Sequence, residues 1–199
     1  MTSRRVRDRF LREARTAAGL SHPNIVAIHR VAEAGGLPFF VMTFVKGETL
    51  GERLRSRGPV TPAVMTLILR DVAQALAYAH GHGTIHRDIK PDNILLEEDS
   101  GRALVTDFGN ACVADDSVPA EGTMGSTAAV HDPEQVMGEP LDGRSDLYAL
   151  GVVAHLALSG KLPIDAPSIS ELMVKRVSEA APPIGSVASG VPGSLARVV

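Results

Sequence analysis

Two short stretches of the sequence decide the fold: HRDIKPDN at residues 86–93 and DFG at residues 107–109. The first is a polar, charged loop, and the second begins at the end of a short apolar run. Apolar pieces at residues 94–96 and 103–105 lie between the two stretches, with polar residues around them. This pattern is typical of two short strands. We therefore expect a small hairpin that carries functional loops.

The two stretches match the catalytic loop and the metal-binding motif of protein kinases in composition, order and spacing. The resemblance is to Hanks-type Ser/Thr kinases, the bacterial ones in particular, and it covers essentially the whole chain. It implies an α+β, protein-kinase-like fold, with a mostly helical C-lobe and a partial N-lobe made of the regulatory helix and two strands. By this resemblance, residues 1–45 belong to the N-lobe (helix C and strands 4 and 5) and residues 46–199 to the C-lobe.

Phosphoryl transfer depends on positioning and charge neutralisation more than on covalent work by the protein. Asp88 would accept or orient the proton of the attacking hydroxyl, and Lys90 would place positive charge beside the transferring phosphate. Asn93 and Asp107 offer hard oxygen ligands for magnesium. The resemblance implies ATP and Mg²⁺ as cofactors, and Lys90 favours Ser/Thr protein substrates because tyrosine kinases generally lack it.

A nucleotide site follows from the same resemblance. Glu13 in Phe-Leu-Arg-Glu-Ala corresponds to the regulatory-helix acid that pairs the nucleotide-anchoring Lys. Met42 would be the gatekeeper of the strand that leads into the hinge. Backbone groups of Thr43 and Val45 would hold the adenine, with Leu95 beneath it.

Regulation is implied by Arg87, which lies beside the catalytic Asp. Kinases with this pair are switched on when a phosphorylated loop residue supplies a counter-charge to the Arg. Thr123 is the first candidate, with Ser126 and Ser117 behind it, although each can equally be an ordinary loop hydroxyl. Thr127 suits the position that bonds the catalytic Asp and Lys.

The remaining elements follow from hydrophobic spacing and turn residues. A strongly apolar helix, residues 146–158, resembles the central helix whose Asp, here Asp146, anchors the catalytic loop backbone. Residues 110–131 have no sustained period and predict a flexible loop, and residues 181–193 predict another loop. The other predicted elements are a helix at 4–18, strands at 25–31 and 37–45, a short helix at 50–55, a long helix from Pro62 to Ala79, a helix at 168–178 and a helix starting at 195.

The sequence begins where the regulatory helix begins, so we expect the Gly-rich loop and the strand Lys to be missing and the kinase domain to be incomplete at both ends. That expectation keeps an alternative open: a catalytically inactive pseudokinase that acts as a protein-binding module. A small-molecule phosphotransferase can share the Asp and Asn spacing. The Lys90-Pro91 pair and the Asp-Pro-Glu segment at residues 132–134 favour protein substrates instead.

Composition excludes several other classes. The chain has 199 residues, 44% of them hydrophobic, and a net charge of -3. It lacks the excess of Lys and Arg that marks nucleic-acid or membrane-surface binders. The single Cys112 excludes an intramolecular disulfide. We see no signal peptide and no apolar run long enough to span a bilayer, so a cytoplasmic location is the default expectation.

Overall fold

The computed structural model describes residues 18–35, 37–108 and 142–199. The strands are β1 (Ile28–Ala34), β2 (Leu37–Met42), β3 (Gly47–Thr49), β4 (Ile94–Glu97) and β5 (Ala103–Val105). The helices are α1 (Leu50–Arg57), α2 (Pro62–Gly81), α3 (Gly143–Ser159), α4 (Ile169–Ser178), α5 (Ile184–Val187) and α6 (Gly193–Ala196), with a 3₁₀ turn over Pro91–Asn93. The predicted helix at 4–18 lies outside the described residues apart from its last position, and so does the predicted loop at 110–131.

The strands form two antiparallel sheets. β1 pairs with β2, and β3, β4 and β5 form the second sheet in that order. The predicted hairpin of β4 and β5 is confirmed, and the two strands predicted at 25–31 and 37–45 form the antiparallel pair β1 and β2. The third strand, β3, was not predicted, because the three residues Gly-Glu-Thr carry no apolar alternation. The sheets are tied together where Val26 N donates to Val105 O at 2.9 Å and Val105 N donates to Asn24 O at 2.8 Å.

The long helix α2 provides one wall of the core. Thr61 caps it, with its side chain accepting from Val64 N, and Pro62 begins it. The predicted long helix is confirmed, and the apolar residues that follow its helical spacing are buried: Met65, Ile68, Val72, Leu76 and Ala79. This face packs against α3, so the helical region is held together by apolar burial.

Helix α3 is buried on nearly every side, as predicted. Asp142 caps its N-terminus, and Gly160 ends it with φ 75, a left-handed conformation that favours glycine. Arg144 in the first turn is exposed, and Leu147 is the exposed apolar residue, with 54% of its surface exposed. The helix therefore forms the centre against which the functional loop is fixed.

The C-terminal predictions were partly wrong. Helix α4 is confirmed, with Ser168 as its cap. The predicted loop at 181–193 contains the one-turn helix α5, because Ile184 is buried in the core. The helix expected from Leu195 onward is a single turn that begins at Gly193. In the part of the chain that the structure describes, no helix combines the length and the apolarity needed to cross a bilayer.

Candidate active site

A buried carboxylate on α3 fixes the backbone of residues 86 and 87. Asp146, with 1% of its surface exposed, accepts from His86 N at 2.9 Å and from Arg87 N at 2.7 Å. His80, at the end of α2, places its Nε2 atom 2.7 Å from the same carboxylate. Hydrogen bonds from backbone N–H groups to a charged acceptor are among the stronger ones. The anchoring role expected for Asp146 is confirmed.

The ring of His86 connects this loop to the end of β5. Its Nδ1 atom accepts from Asp88 N at 3.2 Å, so the proton of the neutral ring lies on Nε2, which donates to Thr106 O at 2.8 Å. Complete burial lowers the pKa of His86 below its usual value. The ring also meets the Phe108 ring edge-on, with centroids 4.6 Å apart. A neutral His86 thus joins the two sequence motifs.

Asp88, Lys90 and Asn93 form one hydrogen-bonded cluster. Lys90 Nζ donates to Asp88 Oδ2 at 2.7 Å. Asn93 Nδ2 donates to the same oxygen at 3.0 Å and to the backbone oxygen of Asp88 at 2.8 Å. Among the described residues no donor reaches the other carboxylate oxygen, Oδ1, although this atom is buried. The cluster therefore orients Asp88 through one oxygen and leaves the second available.

Asp107 lies two residues after β5, near this cluster. Thr106 N donates to Asn93 O at 3.1 Å, which ties the segment after β5 to the 3₁₀ turn. Burial raises the pKa of the Asp107 carboxyl, and the negative charge of Asp88 acts in the same direction. The two carboxylates are thus close enough to interact. The catalytic-loop Asp and the Asp of the second motif share one region of the molecule.

Backbone strain is concentrated at the same place. Within the described ranges, two non-glycine residues have a positive φ angle: Arg87, with φ 65°, and Asp107, with φ 64°. Such conformations cost of order 1–3 kcal/mol each, and they persist only where the surroundings enforce them. The hydrogen bond from Arg87 N to Asp146 holds the first of these residues. Asp107 lies just after the short strand β5. One strained residue lies in each of the two sequence motifs, so the strain falls at the candidate site.

The sequence model of the protein kinase domain matches residues 2–186 of the chain. The chain belongs to the protein kinase family. Serine/threonine-protein kinase PknL of Mycobacterium tuberculosis is 38% identical over 192 residues, which are 96% of this chain and 48% of that protein. The probable serine/threonine-protein kinase PknB of Lactococcus lactis is also 38% identical over 192 residues, 30% of its length. PknB of Mycolicibacterium smegmatis is 41% identical over 178 residues, 86% of this chain and 28% of that protein.

These relatives are bacterial Ser/Thr kinases, as the sequence resemblance predicted. The chain spans about half the length of the first of them and less of the others.

The residues predicted to hold adenine lie at the end of β2, in the segment that follows it and on β4. Met42 ends β2, and the backbone N–H of Thr43 donates to Ala27 O at 2.9 Å. Val45 and Leu95 are half-buried, and Leu95 pairs with Thr49 and Leu104 inside the second sheet. Their contact with a nucleotide stays a prediction.

The regulatory predictions fall mostly outside the described residues. This holds for Glu13, Thr123, Ser126 and Thr127, and for Ser117 and the Asp-Pro-Glu segment. Arg87 is described, and its backbone N–H bonds Asp146. Its proposed part in activation stays a prediction.

Two polar side chains that support the site were missed. The backbone N–H of Ala103 donates to Asp71 Oδ2 at 3.1 Å, and its carbonyl accepts from Asn24 Nδ2 at 2.9 Å. Together they close the outer edge of β5, the strand that leads to Asp107. A signal was available for one of them, because Asp71 is an acid between Ile68 and Val72 on the apolar face of α2.

Proposed function

We propose that the chain transfers the γ-phosphoryl group of ATP to Ser and Thr hydroxyls of protein substrates. The observation that carries this proposal is the Asp88 carboxylate. One of its oxygens is held by Lys90 and Asn93, while the other is buried without a donor among the described residues. A buried acceptor left unpaired costs free energy, and a substrate hydroxyl would relieve that cost.

The role of each residue follows from its contacts. Asp88 would accept the proton of the substrate hydroxyl as the hydroxyl oxygen bonds to the γ-phosphorus and the bond from phosphorus to the ADP oxygen breaks. Lys90 lies 2.7 Å from Asp88, so its ammonium group is positioned to offset negative charge on the transferring group. His86 and Asp146 act as positioning residues through the loop backbone.

The donor set fits a magnesium ion. Asp107 carries a carboxylate whose charged form is disfavoured by burial and by Asp88, and a divalent cation would reverse that effect. The side-chain nitrogen of Asn93 donates to Asp88, so the side-chain oxygen of Asn93, Oδ1, is the atom that could bind a metal. Asn93 and Asp107 would hold the ion, and when bound it would neutralise charge on the phosphate oxygens.

The nucleotide base and the regulatory residues complete the proposal. Met42, Thr43, Val45 and Leu95 would line the adenine site, and Glu13 would support phosphate binding from the regulatory helix. Arg87 would pair with a phosphorylated loop residue, with Thr123 the first candidate. The division into an N-lobe part, residues 1–45, and a C-lobe part, residues 46–199, is supported by β3, which joins the sheet of β4 and β5 and not that of β1 and β2.

Substitution of the proposed base tests the proposal. The chain is incubated with Mg²⁺, γ-labelled ATP and a mixture of acceptor proteins, and incorporated phosphate is measured and mapped by mass spectrometry. We expect Asp88→Asn to lower the rate by about 10²–10⁴-fold, the range for a positioned acid or base. Asp99→Asn is the matched control, because Asp99 is exposed in the turn between β4 and β5. Equal rates for Asp88→Asn and the wild type would refute the proposal.

A further inference from the structure

The outer edge of β5, opposite β4, carries the backbone polar groups of Ala103 and Val105. Val105 N donates to Asn24 O at 2.8 Å, and Val105 O accepts from Val26 N at 2.9 Å. Ala103 O accepts from Asn24 Nδ2 at 2.9 Å. The remaining group, Ala103 N, donates to Asp71 Oδ2 at 3.1 Å. Every polar group of this edge therefore has a partner, and the partner at the start of the strand comes from helix α2.

The partner on α2 is a buried carboxylate on an apolar helix face. Asp71 is 4% exposed and shares its face of the helix with the buried Ile68 and Val72. A carboxylate in such surroundings costs free energy unless its oxygens are paired. Oδ1 pairs with Arg70 Nη2 at 2.9 Å toward the surface, where the Arg70 side chain is 59% exposed. Oδ2 is therefore the oxygen that serves β5.

Helix α2 holds both sequence motifs of the site, at two separate points. Asp71 holds the start of β5, the strand that leads to Asp107. Near the end of the same helix, His80 places Nε2 2.7 Å from Asp146, whose carboxylate accepts from the backbone of the catalytic loop. The two positions lie about 14 Å apart along the helix axis. Because the helix is packed in the core, this spacing fixes the strand of Asp107 relative to the loop of Asp88.

The path from Ala103 to Asp107 is short, and β5 makes up most of it. At its end, Thr106 N donates to Asn93 O at 3.1 Å, and Thr106 O accepts from His86 Nε2 at 2.8 Å. Asp107 then takes φ 64°, a conformation that persists only where the surroundings enforce it. A strand start that lost its partner on α2 would weaken this enforcement. The Asp107 carboxylate would then be less well directed.

We propose that Asp71 is a positioning residue for the metal ligand Asp107. Its carboxylate fixes Ala103 N and so the strand at whose end Asp107 lies. The inference rests on the proposed function, because that proposal assigns a magnesium ion to Asp107. Asp71 acts through the β5 backbone and not on the ion itself. Outer partners that orient a metal ligand typically change metal affinity by about 10–100-fold when they are removed.

Calorimetric titration of ATP into the full chain, with Mg²⁺ and with EDTA, tests the inference. We expect Asp71→Ala to weaken ATP binding about tenfold with Mg²⁺, the lower end of the effect of such partners, and to leave it unchanged with EDTA. A merely structural role gives a different result, because partial unfolding lowers the fraction of chains that bind and leaves the Kd of the folded chains unchanged. An equal ratio of the two Kd values in Asp71→Ala and in the wild type would overturn the inference.

Two further variants separate the hydrogen bond of Asp71 from its charge. Arg70→Gln removes the surface ion pair and keeps the bond from Ala103 N, so we expect the wild-type Kd with Mg²⁺. Asp71→Asn removes the charge and keeps a side-chain oxygen that can accept from Ala103 N, so it should restore most of the affinity lost in Asp71→Ala. A loss in Arg70→Gln as large as the loss in Asp71→Ala would show that the charge acts, and the inference would fail.

Amide hydrogen exchange without ATP and Mg²⁺ separates failure of the inference from failure of the proposed function, since it needs neither ligand nor activity. We expect the amides of Ala103 and Thr106 to exchange at least tenfold faster in Asp71→Ala than in the wild type. Unchanged exchange would overturn the inference even in a chain that phosphorylates proteins. If the wild type binds no ATP, the proposed function fails, and the exchange result decides whether Asp71 fixes this strand.

The wild type alone provides a test if Asp71→Ala does not fold. Its Ala103 amide should exchange far more slowly than the amide of Asp99, which is exposed in the turn between β4 and β5. Exchange of Ala103 as fast as that of Asp99 would overturn the inference.

Discussion

The catalytic loop and the β1–β2 hairpin differ in how their side chains are held. In the loop, His86, Asp88 and Asn93 form hydrogen bonds with each other or with the neighbouring backbone. Asp146 of α3 accepts hydrogen bonds from the loop backbone. On the hairpin and just after it, large apolar side chains face outward: Leu37 is 71% exposed and Phe44 is 89% exposed. The position of the catalytic groups therefore depends on the helical region, through Asp146. The hairpin contributes much less to it.

The largest expected effect comes from removing the anchor. Asp146→Ala leaves two backbone N–H groups without their acceptor and His80 without its partner, so we expect the free energy of unfolding to fall by about 3–5 kcal/mol. Urea denaturation monitored by circular dichroism measures it. Asp165→Ala, at an exposed position, is the control. A loss below 1 kcal/mol in Asp146→Ala would show that the anchor is not the main support of the loop.

Two glycine substitutions should change the free energy of unfolding by smaller amounts and in opposite directions. Gly51→Ala would press a methyl group onto Asp92, and overpacking of this kind typically costs about 1–3 kcal/mol. Gly151→Ala meets nothing within 4 Å in helix α3, so better helix propensity should stabilise the chain by about 0.5–1 kcal/mol. Thermal unfolding of both variants measures the difference. Equal shifts in the two variants would contradict the close contact between α1 and the loop.

The free energy of unfolding should depend on pH through the buried His86. Because burial lowers the pKa of His86, the unfolded chain takes up a proton near pH 6.5 while the folded chain does not. The contribution of His86 to stability is complete above that pH and is lost as the pH falls from there toward the lower folded pKa. The free energy of unfolding should therefore decline on acidification. His86→Gln should flatten the decline, and an unchanged slope in this variant would contradict the prediction.

The smallest effect is expected on the hairpin. Phe44→Ser and Leu37→Ser change side chains that are largely exposed, so the free energy of unfolding should stay within about 0.5 kcal/mol of the wild type. The same denaturation measurement applies. A loss above 2 kcal/mol in either variant would show that the hairpin is as tightly held as the loop, and the comparison would fail.

Sequence reasoning succeeded where local patterns decide. The spacing of Asp88, Lys90 and Asn93 predicted a cluster, and the apolar face of α2 predicted the helix and its buried residues. It missed features that depend on distant partners. β3 exists because β4 pairs with it, α5 forms where Ile184 enters the core, and Asp71 serves a strand 32 residues further along the chain. None of these partners can be read from a window of a few residues.

The central claim is that Asp88, Lys90, Asn93 and Asp107 surround one magnesium–phosphate group. Calorimetric titration of ATP into the wild type, Asp107→Asn and the Asp99→Asn control, each with Mg²⁺ and with EDTA, tests it most directly. We predict that Asp107→Asn weakens ATP binding at least tenfold with Mg²⁺ and leaves it unchanged with EDTA. The reason is that a neutral amide oxygen binds Mg²⁺ more weakly than the carboxylate it replaces. Equal Kd values for Asp107→Asn and the wild type in Mg²⁺ would contradict the claim.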